Sequence, residues 1–103
     1  MIQIYMDGSQ IVAEGHAGFA PPGQDIVCAG VSALTQTLVQ ALDVLAPGEA
    51  IFHIEPGKAV IQFQAHSEKS RLLARSFFIG VEMIAQTYPE NVSLICTNQA
   101  WMS

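Results

Sequence analysis

Positive charge is scarce in this chain: four Lys and Arg residues stand against nine Asp and Glu, a net charge of −5 over 103 residues. All four (Lys58, Lys69, Arg71 and Arg75) fall within residues 58–75, so the first 57 residues have none, while Asp7, Glu14, Asp25, Asp43 and Glu49 precede Glu55. Nucleic-acid affinity rests on Lys and Arg neutralising phosphates, so a nucleic-acid partner is disfavoured. An acidic amino-terminal half suits either a basic partner or a solvated surface that aids solubility. Cysteine is equally sparse. Cys28 and Cys96 are the two, with no CxxC and no Cys/His cluster at zinc spacing, which excludes a disulfide framework and points to no metal site and no cofactor. Two unpaired thiols are the expectation for a cytoplasmic protein. A long apolar run is also missing. The longest uncharged stretch, residues 26–42, is interrupted by Ser32, Thr35, Gln36, Thr37 and Gln40 and is short for a bilayer span. The amino terminus lacks a basic region and reaches Asp7 at once, unlike a secretory signal. The expected protein is cytoplasmic, with no membrane segment.

What is present is apolar: half of the residues are hydrophobic. The length suits one domain around one core, and so apolar a small domain often hides surface in a homodimer. Ile2, Ile4 and Met6 alternate with Gln3 and Tyr5, the period of a half-buried strand. Asp7-Gly8 is a tight-turn signal, and Ile11-Val12-Ala13 leads into a second strand ending near Gly15-His16. Residues 17–24 carry Gly and Pro and read as an exposed loop. Asp25 is a suitable N-cap for a helix from Ile26 to about Leu45, stopped by Pro47-Gly48. Apolar residues almost surround that helix, which predicts a buried, central position. Ile51, Phe52 and Ile54 predict a strand, Pro56-Gly57 a turn, and Val60, Ile61 and Phe63 its hairpin partner. Ser67 caps a second helix ended by Pro89, and Val92, Leu94 and Ile95 form a last strand. The fold class is α+β: a β-β-α-β-β-α-β two-layer sandwich, a mostly antiparallel sheet packed against two helices.

The pattern with chemical content is His16 at a strand end and Cys28 in the first turn of a helix. The N–H groups and dipole of such a turn favour a thiolate. An imidazole alongside would activate the thiol and then protonate a leaving amine, the Cys/His logic of nucleophilic catalysis. The same N–H groups are candidates to hold an oxyanion. Asp25, three residues before Cys28, and Ser32, four after it, project from the same side of the helix. Asp25 can cap the helix, orient His16, or both; Ser32 can bond within the site or serve as a small packing residue. Spacing by itself also fits an inert core cysteine and a turn histidine.

Residues 15–34 carry Gly15-His16-Ala17, a short loop containing Gly23, then Asp25-Ile26-Val27-Cys28-Ala29 and Ser32. This combination resembles the signature of the bacterial ribosomal-processing cysteine proteases, the Prp family, and length and element order are similar through about Ile95. The resemblance implies Cys28 as nucleophile, His16 as general base and acid, and Asp25 and Ser32 as supporting residues. It also implies a mobile loop closing over bound peptide, here Gly15, Ala17, Gly18, Phe19 and Gly23, with Pro21-Pro22 stiffening it. The implied substrate is a large-subunit ribosomal protein, number twenty-seven. A short amino-terminal extension would be cut after a hydrophobic, phenylalanine-paired stretch, before the basic mature sequence. Homodimers are implied too. Two other readings accompany this one: a protease of the same family acting on a viral or prophage scaffold protein, and a non-catalytic ribosome-associated binding module. Cys96 reads as a buried strand residue.

Overall fold

The computed structural model describes residues 1–98. Its elements are β1 (Ile2–Met6), β2 (Gln10–Glu14), α1 (Ile26–Leu45), β3 (Ala50–Glu55), β4 (Lys58–Phe63), α2 (Glu68–Thr87) and β5 (Val92–Cys96), the order read from the sequence. The strands form one sheet in the order β3-β4-β2-β1-β5. Three neighbouring pairs are antiparallel, and β5 lies parallel to β1. The parallel pair follows from α2, because a crossover helix brings the chain back in the same direction.

Local chemistry makes the turns. Asp7 Oδ1 accepts from the Ser9 and Gln10 amides at 2.7 and 2.8 Å, closing β1 onto β2. Ser67 Oγ accepts from the Ser70 amide at 3.2 Å and opens α2. The two-residue period of the strands then sorts the faces. Ile2, Ile4, Met6, Ile11, Ala13, Ile61 and Phe63 turn to one side and are buried. They form one core with Val27, Val31, Leu38 and Leu42 of α1 and Ala74, Phe77, Phe78 and Val81 of α2.

Helix α1 departs from the expectation of a fully buried helix. Val27, Val31, Thr35, Leu38 and Leu42 are buried as one stripe, whereas Ile26, Val44 and Leu45 are 62%, 71% and 51% exposed. The reason is architectural: in two layers a helix has a single inner face, however apolar the other side. Thr35 is polar within that stripe but donates its hydroxyl to the Val31 carbonyl at 2.8 Å, so its methyl group is what remains for packing.

Candidate active site

Asp25 starts α1 and organises what surrounds it. Its Oδ1 accepts from the Cys28 amide at 2.9 Å, a helix N-cap. Its Oδ2 accepts from Phe19 N–H at 3.0 Å and from Ala20 N–H at 3.4 Å. One carboxylate thus fixes the helix start and folds the preceding loop onto it. Of the two roles open for Asp25, the structure shows the cap, with its bonds going to main-chain amides. The oxyanion expectation changes as a result. The Cys28 N–H is taken by Asp25 Oδ1 and the Ala29 N–H by the Asp25 carbonyl at 3.0 Å, so neither is available in this arrangement to an oxyanion.

The amide donors, Cys28 foremost and then Phe19, Ala20 and Val27, hold the Asp25 carboxyl below its ordinary value of 3.8. A carboxylate with a lowered folded-state pKa stabilises the fold above its unfolded value and ceases to do so as pH falls through the folded one. The stability difference between wild type and Asp25→Ala is therefore expected to be full at neutral pH and to shrink below about pH 4. Urea unfolding at pH 7 and pH 3 checks this; a pH-independent difference would show that the charge is irrelevant to the cap.

His16 stands at the exit of β2. The ladder between β2 and β4 pairs Glu14 with Lys58, and one step further Gly15 N–H donates to the Gly57 carbonyl at 2.9 Å. Gly57, in the β3–β4 turn with φ of +76°, lies beneath the imidazole: a Cβ there would sit 3.4 Å from His16 Nε2. Gly15 has φ of +98°, and a Cβ on it would run into the Met1 carbonyl. Two glycines, 42 residues apart in the chain, thus seat the histidine.

His16 and half-buried Cys28 line one groove of about 500 Å³. Gly15 and Ser32 line it too, and Ser32 Oγ accepts from Gln36 Nε2 at 2.8 Å. The structure therefore brings His16, Cys28, Gly15 and Ser32 to one groove, with Asp25 outside it and bonded to the Cys28 amide. Ala17, Gly18, Phe19 and Gly23 are not among the groove residues. Ala17 is buried and its carbonyl accepts from Asn91 Nδ2 at 2.9 Å. Phe19 packs edge-on against Tyr88, with ring centroids 5.3 Å apart. In this arrangement the loop lies against the end of α2. Sequence reasoning missed the other wall, which comes from the β3–β4 hairpin through Ile54, Glu55, Gly57 and Ala59. Pro56-Gly57 was legible as a turn, but nothing local tied that turn to His16.

A thiol and an imidazole on one open groove, in a two-layer α+β fold, are the groups that cysteine-peptidase chemistry needs. Residues 1–93 match the family described as cysteine protease Prp, and the chain belongs to that family. A Bacillus subtilis (strain 168) relative called ribosomal processing cysteine protease Prp is 34% identical over 85 residues, 76% of each chain. A Staphylococcus aureus (strain Mu50) relative of the same name is 24% identical over 89 residues, 84% of each. Among solved structures, the S. aureus protease Prp with a covalently linked product peptide superposes with a TM-score of 0.88 at 24% identity. It covers 94% of this chain and 100% of its own, a likeness of fold. A Streptococcus mutans protein superposes with a TM-score of 0.77 at 32% identity over 96% of each chain.

Proposed function

We propose that this cysteine protease removes a short amino-terminal extension from a basic large-subunit ribosomal protein, number twenty-seven, cutting after a hydrophobic, phenylalanine-paired sequence. Cys28 is the nucleophile and His16 the base and acid. The observation that carries the reading is the groove itself: Cys28 and His16 both line it, and its interior is mostly apolar. Glu14 and Lys58 are 3.8 Å apart and about half exposed, a pair of small energetic weight.

In this reading the Cys28 proton passes to His16 and the thiolate attacks the scissile carbonyl carbon. The tetrahedral adduct collapses as the C–N bond breaks, and the imidazolium delivers its proton to the departing amine. Water then attacks the thioester while His16 takes its proton, and the acid leaves as the thiol is restored. The reaction belongs in the cytoplasm, where thiols stay reduced. Apolar residues left exposed on the helix layer, Leu72, Ile79 and Met83 with Ile26 and Val44, support a homodimer.

The test is incubation of purified protein with a peptide carrying a hydrophobic, phenylalanine-paired sequence followed by a basic segment, read by mass spectrometry. Cleavage at one bond after the paired phenylalanines is expected. No cleavage of that peptide, with cleavage of a peptide from a phage scaffold protein, would move the substrate away from the ribosome. Cleavage of neither would leave a peptide-binding module.

A further inference from the structure

Two alanines lie on the sheet side of the groove, Ala13 and Ala59. On the face beneath the helices, Ala13 of β2 pairs with Ala59 of β4, and Ala59 with Ile54 of β3. The next row on that face, Ile11, Ile61 and Phe52, is filled by large side chains. Where the alanines stand, the sheet falls short of α1, and the space faces Val31, Thr35 and Val39 across the groove. An enclosed apolar cavity of roughly 150 Å³ holds a benzene ring; the open groove, with the space at His16 and Cys28 included, is about 500 Å³, enough for a bulky apolar side chain beside the reacting groups.

The direction of the bound peptide follows from the chemistry of the proposed protease, on which this inference rests. His16 must meet the leaving amine, so residues after the cut pass His16 and leave the groove at the strand end that carries it. Residues before the cut remain attached to Cys28 and extend into the apolar part. Ala59 lies two residues along β4 from Gly57, about 7 Å at strand rise. Thr35 lies seven residues along α1 from Cys28, about 10 Å at helical rise. An extended peptide covers those distances in two or three residues.

We propose that Ala59, with Ala13 beside it, is a specificity-determining residue: its small side chain makes the floor of a pocket for bulky apolar side chains within three residues upstream of the scissile bond. Thr35 and Val39 form the opposite wall. A larger residue at position 59 narrows this pocket without touching the sulfur or the imidazole.

The experiment compares two peptides, identical except that the paired phenylalanines before the cut are alanines in the second, on wild type and Ala59→Leu. The ratio of kcat/KM for the phenylalanine peptide over the alanine peptide is expected to fall at least ten-fold in the variant. Carboxamidomethylation of Cys28 by iodoacetamide, at the wild-type rate, reports that the nucleophile's surroundings are intact. An unchanged ratio with intact alkylation overturns the proposal, as does an equal loss on both peptides. Val39→Phe narrows the same pocket from the helix side and decides the matter if Ala59→Leu fails to fold. Wild type cleaving neither peptide would instead refute the protease reading, before any variant is compared.

Discussion

Cys28→Ala is expected to abolish peptide cleavage, and His16→Ala to lower kcat on the order of 10²–10⁴-fold, the usual contribution of a general acid–base. Removing a nucleophile that acts as one unit with its base costs as much as removing the whole unit, so the double variant should be no worse than Cys28→Ala. The fold should survive the first change, because Asp25 holds the main-chain N–H of residue 28 and not its sulfur. Thermal unfolding near the wild-type temperature, together with absent cleavage, separates lost chemistry from lost structure. Thiol labelling gives an independent readout. Cys96 is half-buried on β5 with its Sγ 3.4 Å from the Asn98 carbonyl, so iodoacetamide should modify Cys28 first, and His16→Ala should narrow that preference. Cleavage by Cys28→Ala at the same bond would place the nucleophile elsewhere.

Gly15→Ala is expected to be the most damaging single methyl group in the site. The residue has φ of +98°, where an L side chain is strained, and its new Cβ would meet the Met1 carbonyl. Both partners are backbone, so no rotamer change relieves the overlap, and β1 and β2 must part locally. Such strained positions cost roughly 1–3 kcal/mol, or a drop of several degrees in Tm for a domain of this size. Gly18→Ala is the control: φ there is +68°, with open space around the added Cβ. The excess of Gly15→Ala over Gly18→Ala in urea unfolding isolates the contact with Met1. Activity should fall as well, since Gly15 is bonded to Gly57 and precedes His16. Equal unfolding midpoints for the two variants would mean that the strand ends tolerate the displacement.

Much of the site was legible in the sequence because its first determinants are local. Asp25 three residues ahead of Cys28 is N-cap spacing, and the capping bond at 2.9 Å lies where that spacing puts it. The alternation of Ile2, Ile4 and Met6, the Asp7 turn and the Ser67 cap needed no knowledge of distant residues, since each is settled within three or four positions of chain. Helix α1 was legible as a helix but not as a one-sided one, because composition records how apolar a segment is and not how many layers lie over it.

Local residue order is enough to place a thiol at the opening of a helix and an imidazole at the end of a strand. That the two share a groove, and what lines it, follows only from how distant segments pack. Pairing of β2 with β4 brings Gly57 under His16 and sets Ala13 beside Ala59, and the Asn91 amide reaches Ala17 across 74 residues of chain. A capping bond costs little chain entropy to form and so leaves a signature at fixed spacing. Strand register between remote segments is set by which apolar faces pack together across the whole sheet, and that balance leaves no mark on any one stretch of residues.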